Sequence, residues 1–306
     1  MQLLLRETIE LGLKTKTVKR KSFEKVIVDT TVQEKNITYP TDAKSQNNVR
    51  KKLVQLAKKA GIVLRQSYEK VSPRKVLEGA RYVHARQMKR ARKALKKVKI
   101  YLGRVIRDVE KKWATIDEGI KKKIEHEYEH LMKIAKIVVK QAKQSKEKIY
   151  SVHEPHVECI SKGKVHKKYE FGVKVGIGVT HKEGFVVSSE AFFGNPYDGH
   201  TLEKSLATIQ ENTETRIKKC YVDKGYKGHH VEGIEVYSSG QKRGVTAEIR
   251  REIKRRSLVE AMISHMKRKC HLGKNYLHGM IGDENNAILS GVGHNLRLVW
   301  NHLALN

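Results

Sequence analysis

Lys25-Val26-Ile27-Val28-Asp29-Thr30-Thr31-Val32 is the stretch on which the fold turns. Its β-branched run predicts a buried strand. Asp29 interrupts that run, and an acid inside an apolar strand is costly unless it is paired, hydrogen-bonded or metal-bound. Two readings stand at this point: a turn-former taking hydrogen bonds from the following Thr pair, or a ligand. Upstream, residues 1–13 read as a short amphipathic helix, followed by a basic stretch from Lys14 to Lys21. Downstream, Tyr39-Pro40-Thr41-Asp42 ends the strand region, and Thr41 or Asp42 is placed to cap a helix.

Residues 43–149 are helical in pattern and rich in Lys and Arg. Leu53, Leu56, Ala57 and Ala60 mark one apolar stripe at helical spacing. Val76, Leu77, Ala80 and Val83 begin a second, which resumes at Leu95, Val98, Leu102, Val105, Ile106 and Val109. Leu131, Ile134, Ala135 and Val138 form a third. Ser72-Pro73 and Ile116-Asp117-Glu118-Gly119 are the expected breaks. The cations opposite these stripes are either a solvated face or a surface that follows phosphates. The whole chain of 306 residues carries a formal charge of +31, which favours phosphates. No apolar span of about 18 residues argues for a membrane segment. Cys159, Cys220 and Cys270 are too scattered for a disulfide framework or a zinc knuckle, so a reducing compartment is expected.

At Tyr150 the composition changes. Tyr169 to Val179 alternates like a half-buried strand, and Gly184 to Phe192 follows after a His-Lys-Glu-Gly turn, a hairpin signal. Asn195-Pro196-Tyr197-Asp198-Gly199-His200-Thr201 leads into a helix with Leu202, Leu206 and Ile209. A strand from Ile217 to Val222 ends on Asp223-Lys224-Gly225-Tyr226, with a further short strand between Val231 and Ser238. From Val245 to Cys270 neither Pro nor Gly interrupts a helical pattern. Within it Arg256, Glu260 and Lys267 share a stripe, one carboxylate between two cations, and Leu258, Met262 and Met266 form an apolar flank. Locally this reads either as a surface salt bridge or as a metal-binding carboxylate beside phosphate-gripping cations.

Two weaker patterns are set aside. The histidines are not read as a zinc site, and His229, His230 and His265 are expected to be polar surface or DNA-facing groups. Gly172, Gly176 and Gly178 lie inside an alternating strand, not between a strand and a helix, so they do not read as a phosphate loop.

Asp29 and Asp223 at strand ends and Glu260 on a following helix, in the order strand, hairpin, helix, strand, strand, helix, look like an α/β ribonuclease-H-like core. Such a core is a mixed sheet flanked by helices, here with a long basic all-helical insertion after the first catalytic strand. Three carboxylates suit Mg²⁺, a hard ion preferring oxygen ligands, and paired ions would serve phosphodiester chemistry. The domains expected are 1–42 (short helix and first catalytic strand), 43–149 (insertion) and 150–306 (remaining core and C-terminal helices).

Val28-Asp29-Thr30-Thr31-Val32-Gln33-Glu34-Lys35, the loop from Gly194 to Leu202 and the Glu260 helix together resemble DDE transposases of the insertion-sequence-five family, within the insertion-sequence-four-like group. That family's Tyr-(2)-Arg-(3)-Glu-(6)-Lys signature is kept here as Arg256, Glu260 and Lys267, with Ile253 in place of Tyr. The resemblance covers nearly the whole chain, Lys274-Asn275-Tyr276-Leu277 included. It implies Asp29, Asp223 and Glu260 as the catalytic, metal-holding acids, with Mg²⁺ as cofactor and Mn²⁺ able to substitute. It further implies Arg256, Lys267, Lys224 and Lys274 as DNA-binding residues. The implied partners are terminal inverted repeats and target DNA, with a homodimer on paired ends as the assembly it allows. Localisation would be cytoplasmic and DNA-associated, in a prokaryote. Relatives usually carry a further N-terminal segment, so the chain reads as N-terminally truncated. A non-catalytic DNA-binding remnant and a metal-dependent nuclease without strand transfer are the rival readings.

Overall fold

The computed structural model describes residues 1–142, 144–161 and 167–305. The chain opens with helix α1 (Gln2–Lys14), a 3-10 turn (Arg20–Glu24) and strand β1 (Lys25–Lys35). Four helices follow: α2 (Asp42–Lys59), α3 (Val71–His84), α4 (Met88–Trp113) and α5 (Glu118–Lys140). Strands β2 (Glu158–Ser161), β3 (Tyr169–Thr180) and β4 (Val186–Phe192) lead to helix α6 (Asp198–Thr213). Then come β5 (Lys219–Val222), β6 (Glu235–Ser238), α7 (Ala247–Lys254), α8 (Ser257–Lys269), β7 (Lys274–Asn275) and α9 (Gly279–Ala304). These elements form two units, Met1–Asn36 with Glu158–Asn306, and Ile37–Val157.

The first unit is built on a mixed sheet. β1 runs antiparallel to β3 and parallel to β5, and β5 continues parallel to β6. β3 also pairs antiparallel with β2 and β4, while β7 adds a short parallel pairing at Glu34 and Lys35 of β1. β-branched residues make β1 a good central strand, and Val26, Ile27, Val28 and Val32 are fully buried. α6 brings Leu202, Leu206 and Ile209 onto the sheet, and every residue of β4 is buried. Each such large apolar side chain stabilises the fold by about 1.5–3 kcal/mol. The glycines of β3 are explained by close packing. A Cβ at Gly172 would lie 1.9 Å from the Gln33 carbonyl oxygen, and one at Gly178 would lie 2.5 Å from the Ile209 side chain.

β7 is too short to be held by pairing alone. Asn275 Nδ2 donates to Asp283 Oδ1 at 2.6 Å, and Lys35 Nζ reaches the same oxygen at 2.9 Å. Charge and hydrogen bonds thus tie β7, β1 and α9 together where little apolar surface is available.

The second unit is helical. Leu53, Leu56 and Ala57 of α2, Leu102, Val105 and Val109 of α4, and Leu131, Ile134, Ala135 and Val138 of α5 form its core. Three of the expected stripes therefore face one another. Thr41 caps α2 through Lys44 N–H, and Asp117 caps α5 through Gly119 and Ile120. The stripe expected on α3 is corrected: Leu77 and Val83 are exposed. α3 instead meets α4 through Gly79, where an added Cβ would lie 2.3 Å from Leu95. A small residue lets the two helices approach, so the buried face is the one without large side chains.

A second correction concerns the pattern from Val245 to Cys270, which is two helices and not one. Glu252 near the end of α7 is bonded by Lys25 and by the Tyr221 hydroxyl, and Arg255 donates to the Lys182 carbonyl at 2.9 Å. These long-range anchors hold α7, and the chain restarts as α8 with Arg256 at its N-cap. His265 is also not a plain surface group. It is half-buried with its ring centroid 6.1 Å from that of His294.

Candidate active site

Parallel pairing of β1 and β5 matches Val26 with Cys220 and Ile27 with Tyr221. Extending that register by two residues brings Asp29 level with Asp223, which directly follows β5. Side chains two apart on a strand share a face, so the two carboxylates emerge side by side. Asp29 Oδ1 accepts the Thr30 N–H at 2.8 Å, which fixes one edge of its carboxylate. Asp223 Oδ1 accepts from the Ser239 hydroxyl at 3.0 Å.

α8 adds the third acid through an arginine. Arg256 Nη1 donates to Asp29 Oδ2 at 3.1 Å, and Nη2 donates to Glu260 Oε1 at 2.7 Å. Nη2 also stands 3.8 Å from Asp223 Oδ1. Val259, Met262 and Met266 on the opposite side of α8 are buried in the core, which sets the rotation of the helix. The Arg256 side chain is only 12 % exposed, whereas Glu260 is 63 % exposed. The arrangement is thus a half-buried guanidinium surrounded by carboxylates from two strands and a helix.

Electrostatics around the site follow from this geometry. Burial alone would raise the pKa of Asp223, but the Lys224 N–H, the Ser239 hydroxyl, Arg256 and Lys224 together hold it below the ordinary carboxylate value. Tyr226 is pushed well above an ordinary tyrosine by burial first, then by the charges of Asp29 and Asp198. Asp198 is the residue that the sequence reading did not single out. Its Oδ1 accepts the Thr30 hydroxyl at 2.9 Å and Lys174 Nζ at 2.9 Å. Lys174 also donates to the Pro196 carbonyl at 2.6 Å, so β1, β3 and the loop before α6 are tied beside Asp29. The only available sequence signal was Asp198 at the helix start within a Pro-Tyr-Asp-Gly loop.

Residues 139–296, just over half of the chain, match the family described as Transposase DDE domain. The chain belongs to that family. The matched segment contains Asp223 and Glu260, and the fold adds Asp29 from outside it. A relative from Rhizobium meliloti, "Uncharacterized protein ORF8 in nfe locus", is 46 % identical over 84 residues, 28 % of this chain. The chain spans 41 % of that relative's length. No solved structure matches.

The cations expected to serve this DDE domain are spread out. Lys224 follows Asp223 directly, is exposed, and lies against the turn at Gly240. Lys267 is half-buried on α8, two turns beyond Glu260. Lys274 is different. Its strand pairs with Glu34, about 17 Å along β1 from Asp29. There its ammonium lies over the Tyr276 ring, 5.7 Å from the centroid.

Among the described residues no group of three His, Cys, Asp or Glu side chains is ready-made to hold a metal ion. Arg256 lies among Asp29, Asp223 and Glu260 and offsets their charge. The donor set itself fits a hard divalent ion, because it consists of carboxylates converging on one positive centre. No helix among the described residues is long and apolar enough to cross a membrane.

Proposed function

We propose that this chain is a DDE transposase of the insertion-sequence-five type with a ribonuclease-H-like core. It would cleave DNA at transposon ends and transfer the freed strand into target DNA. The observation carrying this reading is the convergence of Asp29, Asp223 and Glu260 on the Arg256 guanidinium from three separate elements. In this reading those acids hold Mg²⁺, with Mn²⁺ as a substitute. The metal, when bound, activates the attacking oxygen and stabilises the departing one at a phosphodiester.

The chain's own residues have distinct tasks. Thr30 N–H orients the Asp29 carboxylate, leaving its second oxygen for a cation. Arg256 keeps the acids together without metal and can turn toward a phosphate once they are otherwise neutralised. Lys224 and Lys267 flank the acids and would bind backbone phosphates beside the scissile bond, whereas Lys274 would contact DNA farther out. Water is the attacking group in cleavage, and the released 3′-hydroxyl in strand transfer.

The test is a metal-dependent nicking and joining assay on precut terminal-repeat DNA. Asp29→Asn, Asp223→Asn and Glu260→Gln should each abolish both steps while DNA affinity stays equal or rises. Full activity in one variant would remove that residue from the metal site. Nicking without joining in the unaltered chain would leave a nuclease.

A further inference from the structure

The helical unit holds a cleft of about 440 Å³ that the catalytic reading does not use. Its walls are the loop 60–70, carrying Arg65 and Tyr68, and the face of α4 that carries Arg104, Arg107 and Lys111. The three α4 cations follow at spacings of three and four residues, so one helical face presents them all. Arg65, Arg104, Arg107 and Lys111 are exposed. Arg65, Arg107 and Lys111 form no ion pair among the described residues, although carboxylates are available elsewhere on these helices.

The one acid in the cleft is already committed. Asp108 Oδ2 accepts the Arg65 N–H at 2.7 Å, and Oδ1 stands 3.1 Å from Lys112 Nζ. Burial would raise its pKa, but these bonds and the charges of Lys112 and Arg65 hold it below the ordinary value. Asp108 therefore pins the loop to α4 and does not quench the other cations. Tyr68 fixes the loop a second time. Its ring stacks on Tyr101 at 4.4 Å between centroids, and its hydroxyl accepts from Arg104 Nη1 at 3.1 Å. The result is a rigid floor with several guanidinium forks and one ammonium facing outward.

We propose that this cleft is a phosphate-binding site that takes consecutive backbone phosphates of duplex DNA. Guanidinium groups match phosphate oxygens in a planar, two-point geometry, and several cations against one committed acid leave a local excess of positive charge. An exposed rim suits a polymer crossing the cleft better than a small enclosed ligand. The proposal rests on the DNA reading above and adds a place in the helical unit where the duplex is held.

The experiment uses the full chain, with fluorescence anisotropy on a labelled duplex across a salt series. Arg107→Gln with Lys111→Gln is compared with Lys122→Gln plus Lys123→Gln, an equally exposed pair on α5 removing the same charge. The cleft pair should weaken binding about tenfold and lower the slope of log affinity against log salt by about 1.8, whereas the control pair should change affinity less than about twofold. Circular dichroism melts check that both variants remain folded. Equal losses in the two pairs would overturn the cleft while leaving general electrostatic binding. An unaltered chain that ignores duplex DNA would overturn the cleft and the DNA reading together. Titration with inorganic triphosphate separates the source of the phosphate. Tight binding lost only in the cleft pair, with duplex affinity unchanged, would assign the cleft to a free polyphosphate and overturn the DNA assignment.

Discussion

Arg256, at the head of α8, bonds the Asp29 carboxylate at 3.1 Å across 227 residues of sequence. The same guanidinium holds Glu260 at 2.7 Å, so one side chain closes the site between β1 and α8. A partly buried cation among three acids offsets their mutual repulsion, and removing it leaves like charges facing one another.

Arg256→Gln should therefore destabilise the metal-free chain by about 1–3 kcal/mol, less than a fully buried pair because Glu260 and Asp223 reach solvent. Millimolar Mg²⁺ should restore more stability to this variant than to the unaltered chain. Thermal melts with and without Mg²⁺ decide it. An identical Mg²⁺ response in both chains would mean that the acids do not share a cation.

Gly172 offers a packing test that bears on the same strand. Its Cβ, if present, would overlap the Gln33 carbonyl on β1 at 1.9 Å, and backbone cannot yield as a flexible side chain does. Gly172→Ala should lower stability by about 1–3 kcal/mol and loosen the β1–β3 pairing that positions Asp29. Denaturant midpoints together with amide exchange across Lys25–Lys35 would register it. A wild-type midpoint would show that β3 can shift without cost.

Much of this architecture is legible in the sequence because local chemistry and tertiary packing agree. The β-branched run around Asp29 and the stripes of α2, α4 and α5 each meet the core they imply. The α3 stripe misleads because helix approach at Gly79 outweighs the burial that Leu77 and Val83 would gain. The break between α7 and α8 has no Pro or Gly to announce it. It depends on Glu252 meeting Lys25 and Tyr221, partners far away in sequence. In the candidate site, Arg256 and Glu260 are readable as a helical pair at spacing four. The bond of Arg256 to Asp29 depends on how α8 docks through Val259, Met262 and Met266, and the place of Asp198 on its contacts with Thr30 and Lys174.

His294 supplies a pH-dependent term of its own. Burial first, then Arg297 and His265, lower its pKa to about 4, opposed by a contact of its Nε2 with the Gly184 carbonyl at 3.2 Å. The unfolded chain takes up a proton near pH 6.5, before the folded chain does. The stability present above pH 6.5 is therefore lost as pH falls towards about 4, and below that both states are protonated. The loss amounts to about 3 kcal/mol at most. His294→Gln should flatten the decline between pH 6.5 and 4.5, measured by urea midpoints. An unchanged slope would place the acid sensitivity elsewhere, in lowered carboxylates such as Asp223 and Glu252.

Asp198 is the sharpest probe of how the acids are positioned. Its carboxylate takes the Thr30 hydroxyl and the Lys174 ammonium on one oxygen, and the Lys174 side chain is only 9 % exposed. Asp198→Asn keeps the shape but removes the charge opposite a buried cation. The Thr30 contact then loses its charged acceptor beside Asp29. Groups that orient ligands commonly contribute about 10–100-fold to metal affinity or activity. The expected result is a rise of that size in the Mg²⁺ concentration needed for half-maximal nicking, with DNA affinity unchanged. A merely structural role would instead lower the melting temperature and the active fraction while leaving the Mg²⁺ midpoint in place. Lys174→Met in the Asp198→Asn background removes the stranded charge, so it should recover stability but not the Mg²⁺ midpoint. Recovery of both would show that Asp198 acts only by neutralising Lys174.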